Sequence, residues 1–298
     1  MNRNLLDRKS DYPELIKLTD LLDKTIDFGT QIFDWEVEKN NTRESIVCQT
    51  FLKNILEIGD GISILVQKSS VENAKILLRS LVENTFYLEY LLESDSKNRA
   101  LAYLVATFHS QMKFNSRMDK NSPEGKNFRS VVLKDKTYQN VPFLEPRVQP
   151  EKNGNEFTQM LTHPDFIEVE REYQRTAAKK SNPPWYMLFD GPPNLDQLAN
   201  HIKVNARYEI LYRILSESIH SSNIIKYSLT DLDNGSGLGG VRNPENADMI
   251  VKLALVCLES GFANFIDKRI PAKAVDYEAW HQGFSKDYDQ LGTSRVTA

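Results

Sequence analysis

Between Val71 and Leu92 apolar residues fall on nearly every side of one helix. Ala74, Ile76, Leu77, Leu78, Leu81, Val82, Phe86, Leu88, Leu91 and Leu92 leave no continuous polar stripe, and a helix at a protein surface needs one. A helix of this kind belongs at the centre of other elements, so the rest of the chain must supply partners. The flanking sequence reads as more helix. Pro13 opens a first one that runs towards Glu38. Thr42 caps a second over Arg43–Gln67, which sets Ile55, Ile58, Ile62 and Leu65 on one face. Ser69 or Ser70 starts the central helix, and a fourth runs from about Lys97 to Met118. Ser122-Pro123-Glu124 combines a capping serine with proline at the first helical position. Asn243-Pro244-Glu245 begins the last long helix, through about Lys268. Strand signals are scarce and no internal repeat is present, so the expected fold class is all-α, a multi-helix bundle with a partly irregular insertion.

The division of the chain follows from where this pattern weakens. Residues 1–45 read as an N-terminal helix, 46–269 as the bundle domain and 270–298 as a tail with a short amphipathic helix. The insertion covers about 120–195. Within it, residues 138–160 look irregular, the charged helix after Pro164 presents a solvated face, and Ser181–Pro193 is loop-like with two Pro-Pro pairs around Trp185. Asn194 with Gln197 resembles a capping box for a short helix. The helix with the most unusual polarity spans about Val204–Leu229, and DNGSGLGGVRN follows as a flexible connection. No strand precedes that glycine run and no Lys-Ser/Thr follows it, so it is not a phosphate-binding P-loop. In the tail, Tyr277, Trp280, Phe284 and Tyr288 share a side that either docks on the bundle or engages a partner.

A net charge of -4 argues against a broad basic nucleic-acid face and leaves room for a local one. Cys48 and Cys257 stand apart in apolar helical patterns and read as buried thiols of a reducing compartment. With no apolar leader at the N-terminus and no run approaching the roughly 18 apolar residues of a membrane span, the expectation is a cytoplasmic protein without a membrane partner. No CxxC pair occurs, so a zinc knuckle has no support; no cofactor is expected.

Two places concentrate polarity inside apolar helices. Arg79 and Glu83 are four residues apart on the central helix and project from neighbouring turns. Charges buried there cost several kcal/mol each (of the order of 3–5) unless partnered. Either they form an ion pair that fixes helix register, or Arg79 is held ready for an anionic group with Glu83 orienting it. The second place is YEILYRILSESIHSSN, Tyr208–Asn223. Tyr208, Tyr212, Ser216 and His220 recur every fourth residue, and Arg213 and His220, seven apart, face one way on a helix. His220 is either a neutral core histidine or a functional one. Glu217 and His220 have the Glu-x-x-His spacing of di-iron bundles, yet Ala106 and Leu198 stand three residues before His109 and His201, where a second copy would need a glutamate. His163 caps the helix that follows it, and His281 is solvated.

Arg213 and His220 on one helix resemble the Arg-x4-6-His signature of HEPN-type ribonucleases. There the histidine would act as general acid or base on the ribose 2′-hydroxyl and the arginine would stabilise the phosphorane. Ile214 stands where that family usually has a polar residue. The order of LLRSLVE (Leu77–Glu83), Trp185, LDQLA (Leu195–Ala199) and YxxxYRxLSxxxH (Tyr208–His220) also resembles a bacterial all-helical family catalogued as a domain of unknown function, number 5677 in that series. The resemblance covers about residues 50–265. It implies an α-helical domain with matching positions at Arg79, Glu83, Tyr212, Ser216 and His220, and no established activity. The resulting expectation is one polar cluster with His220, Arg213 and Ser216 as catalytic residues. Arg79, Glu83, Tyr208 and Tyr212 would bind RNA or a small anionic ligand, with no metal and with a homodimer as the working form. Phage defence is the setting by analogy. The alternative is a helical interaction module in which the cluster is structural.

Overall fold

Capping side chains set several helix starts where the sequence places them. In the computed structural model, which describes residues 12–39, 41–137, 150–213, 215–216, 229–232, 235–238 and 242–291, Thr42 Oγ1 accepts the Ser45 N–H at 3.1 Å and Ser122 Oγ accepts that of Gly125 at 2.9 Å. His163 Nδ1 accepts that of Asp165 at 3.3 Å. These bonds satisfy donors that a helix start otherwise leaves open. The helices are α1 (Pro13–Lys39), α2 (Arg43–Gln67), α3 (Val71–Glu93), α4 (Ser96–Met118), α5 (Pro123–Val132), α6 (Pro150–Leu161), α7 (Pro164–Ala177), α8 (Leu195–His201), α9 (Asn205–Arg207), α10 (Ala247–Arg269) and α11 (Ala274–Leu291). The fold is all-α, with one small hairpin in it.

The described chain forms two units. Residues 97–194 make one, and the chain on either side of that segment makes the other. In the larger unit α3 packs on α2 and α10, and α1 packs on the same two helices. Leu78, Leu81, Val82, Phe86, Leu88 and Leu91 of α3 are fully buried, as are Phe262 and Phe265 of α10. The all-round burial expected for the central helix fails at Ile76, which is 45% exposed. Helix α1 contributes Leu15, Leu22 and Ile32 to this core. Its close approach depends on Gly29, where a Cβ would stand 2.3 Å from Leu56 Cδ2 and 2.5 Å from Phe262 Cζ. The α11 stripe docks on this bundle, with Trp280 stacked on Phe28 at 4.2 Å and Tyr277 donating to Glu259 at 2.6 Å. His281, expected in solvent, is half-exposed with Nε2 3.3 Å from Glu259. The smaller unit has its own core, built from Val105 and Phe108 of α4, Phe166, Val169 and Tyr173 of α7, Leu161 and Leu188.

Four local readings change. Residues 150–161 are helical where an irregular stretch was expected; glycine and asparagine there lower helix propensity without forbidding it. The last long helix starts at Ala247, because Asn243 Oδ1 accepts the Glu245 N–H at 3.0 Å and Asn246 takes φ 64°. The glycine-rich connection contains an antiparallel hairpin, β1 (Leu229–Leu232) with β2 (Gly235–Leu238), in the register Leu229↔Leu238. Glycine is depleted in strands, which hid it. Finally, α10 is long and apolar enough to cross a membrane by length and composition, although 56% of its apolar window is buried as a core helix of the bundle.

Candidate functional site

Helix α9 does not continue as the regular α-helix that a fourfold stripe assumes. After one turn, Asn205–Arg207, the backbone widens into a π-turn over Tyr208–Tyr212. Single π-turns inside helices are rare and gather at functional sites. The turn brings the rings of Tyr208 and Tyr212 into a stack with centroids 5.2 Å apart. Ser216 Oγ donates back to the Tyr212 carbonyl at 2.6 Å.

Arg79 of α3 reaches this segment. Its Nε–H donates to Ser216 Oγ at 2.9 Å, and Nη2 donates to the Tyr212 hydroxyl. Its guanidinium carbon lies 4.3 Å from the centre of the Tyr212 ring. Glu83, one turn along α3, accepts from Tyr87 Oη at 2.7 Å and also shares a hydrogen bond with Tyr212. The Tyr212 hydroxyl therefore stands between a guanidinium and a carboxylate. Burial, then the Glu83 charge, pushes its pKa above the ordinary tyrosine value, so it stays a protonated donor near neutral pH.

Arg79 and Glu83 make no direct ion pair with each other. Among the described residues the partners of Arg79 are two hydroxyls and an aromatic ring. Arg213, expected beside them, points elsewhere. It is 61% exposed, 3.3 Å from the exposed Glu209, and 5.8 Å from the Tyr208 ring centre. Arg79, Tyr212, Tyr208 and Arg213 thus form a row of planar groups with unequal ends. The inner end carries two hydrogen bonds from a charged donor, each of the order of 1.5–3 kcal/mol. The outer end rests on an exposed ion pair and an exposed cation–π contact, each about 1 kcal/mol or less. His220 lies outside the described residues, as does Glu217, and so does the lower part of the expected stripe.

Just before the π-turn, Arg207 forms a two-pronged pair with Glu89 of α3 at 2.8 and 2.7 Å, and Ser260 of α10 donates to the same carboxylate at 2.9 Å. This anchor holds the segment that carries the two tyrosines. Tyr87, Glu89, Arg207 and Ser260 were not singled out from the sequence. The available signal was Glu89, an acid set among Leu88, Tyr90 and Leu91 on a helix already assigned to the centre. Among the described residues no three His, Cys, Asp or Glu side chains gather as metal ligands.

Fold and site together define an all-α protein with a tyrosine- and arginine-rich cluster where a central helix meets a π-turn. The profile of the family of unknown function DUF5677 matches residues 45–236, and the chain belongs to that family. The match takes in Arg79, Glu83, Tyr87, Glu89, Arg207, Tyr208, Tyr212, Arg213 and Ser216, and ends before Ser260. No curated protein and no solved structure matches the chain.

Proposed function

We propose that the cluster on α3 and the π-turn segment after α9 binds a phosphate-bearing ligand through Arg79, and that its reaction is metal-independent RNA cleavage of the HEPN-like kind. The observation that carries this reading is the company Arg79 keeps. A half-buried guanidinium held by two hydroxyls and a ring, with the Glu83 carboxylate bound by Tyr87, is positive charge that has no direct ion pair among the described residues. An anionic ligand supplies one. In the cleavage step, His220 accepts the proton of the ribose 2′-hydroxyl, the 2′-oxygen attacks phosphorus, and the 5′-oxygen leaves with a proton from a second acid. Arg79 and Arg213 share the negative charge of the phosphorane. A homodimer would supply that second acid from the other copy's His220.

The opposing reading is a structural tie. Both Arg79 hydrogen bonds link α3 to residues more than 130 positions away, at Tyr212 and Ser216. One set of measurements separates the two. Purified full-length protein is incubated with single-stranded RNA in EDTA, and products and melting temperature are followed. Cleavage with 2′,3′-cyclic ends, lost in His220→Ala and in Arg79→Ala while Arg79→Lys keeps part of it, is the expected result. Intact RNA that does not bind, together with a lower melting temperature for Arg79→Ala, would leave the tie as the role of the cluster.

A further inference from the structure

We infer that the outer end of the planar row, Tyr208 with Arg213, is a seat for an unpaired base, so that the substrate class of this site is single-stranded nucleic acid. The inference rests on the phosphate-binding reading and adds what that ligand carries besides phosphate.

The argument starts from the inequality of the two ends. Arg79 is fixed by two hydrogen bonds and lies over Tyr212, while Arg213 is exposed and, among the described residues, is held by the exposed Glu209 and the Tyr208 ring. Stacking of a base on an aromatic ring is stronger than either of those surface contacts. A base therefore displaces Arg213 from Tyr208, and the released guanidinium is free to meet the adjoining phosphate. Tyr208 is pre-oriented for this, because its ring is already stacked on Tyr212 at 17° between planes, and Tyr212 is pinned from α3. Little ordering is left for the ligand to impose. A base inside a duplex has both faces stacked and cannot use such a seat, whereas a flexible single strand presents one. Aromatic rings interleaved with arginines form the kind of surface that reads stacking and charge with little sequence preference.

The test is fluorescence anisotropy of full-length protein, in EDTA and at low salt, with three probes, of which the two single strands carry equal charge and the duplex about twice as much. They are a 12-nucleotide oligoadenylate with non-cleavable 2′-O-methyl riboses, the same strand paired to oligouridylate, and an abasic strand of equal length. The expected result is at least tenfold tighter binding of the single strand than of either control. Tyr208→Leu should remove that preference at an unchanged melting temperature, and Tyr208→Trp should keep it. Arg213→Gln should flatten the dependence of log affinity on log salt by about 0.7, one phosphate contact to a single strand. Equal binding of the three probes, with affinity still lost in Arg79→Ala, overturns the base seat and spares the phosphate site. No binding of any probe overturns both. Should Tyr208→Leu lower the melting temperature, Tyr208→Trp decides: loss of the single-strand preference in that variant also overturns the seat.

Discussion

Replacing Arg207 by methionine tests how the π-turn is held in place. Glu89 is 6% exposed as a side chain and Arg207 21% exposed, and two short hydrogen bonds join them. Methionine keeps much of the aliphatic length that lies towards Phe86, whose ring centre is 5.5 Å from the guanidinium. The change therefore isolates the loss of the charge. The carboxylate would be left with Ser260 as its remaining described partner. Two lost bonds from a charged donor, each about 1.5–3 kcal/mol, and a buried unpaired acid together predict a cost of about 3–5 kcal/mol. The larger unit has roughly 200 residues, for which each kcal/mol moves the melting temperature by about 2–4 °C, so the shift expected is of the order of 6–20 °C. Urea denaturation followed by circular dichroism, with calorimetry in parallel, reads both quantities. The second half of the experiment is the double variant Arg207→Met with Glu89→Met. Removing the stranded acid should return most of the stability, because a buried ion pair is often no better than a well-packed apolar pair. A single-variant cost below about 1 kcal/mol, or a double variant no more stable than the single, would refute the claim that an unpaired Glu89 is the source of the loss.

Two further outcomes follow from the electrostatics. In the smaller unit Glu172 accepts from Arg175, from the Phe189 N–H and from Thr176, and these bonds hold its pKa down to about 2. A depressed carboxyl stabilises the fold above its unfolded value near 4.5, and that stabilisation drains away as pH falls towards about 2. Glu172→Gln should thus flatten the acid arm of the stability profile between those limits, measured by melts at closely spaced pH, and an unchanged slope would count against it. Burial pushes both Cys48 and Cys257 up to about 12, so neither thiol should react with a thiol-specific aromatic disulfide at pH 8 until the chain is unfolded in denaturant. Stoichiometric labelling of native protein would contradict their placement.

Legibility from sequence was uneven for physical reasons. Helix bodies and starts were readable because they depend on short-range chemistry: periodicity, caps at Thr42, Ser122 and His163, and proline at a first turn. Readings that failed were those in which tertiary context overrode local preference. The stripe Tyr208–Tyr212–Ser216 assumed a regular α-helix; its backbone widens into a π-turn over Tyr208–Tyr212, although the three side chains still gather, with Tyr208 on Tyr212 and both Tyr212 and Ser216 on Arg79. Arg213 was grouped with Arg79 on the same assumption and stands at the exposed end of the row. The glycines of 235–238 argued for a loop and pair as a strand.

The sequence by itself determined that the chain is helical, that α3 is its central element, and that Arg79 and Glu83 interrupt the apolar surface of that element. Apolar periodicity and capping suffice for that, since each acts within a few residues. Only the tertiary structure decided that the arginine and the glutamate turn to tyrosine hydroxyls in place of each other, and that Glu89 and Arg207 clamp the turn bearing those tyrosines. Those choices join residues more than 100 positions apart. Which partner a buried charge takes depends on the three-dimensional cost of desolvating it, and no local pattern encodes that cost.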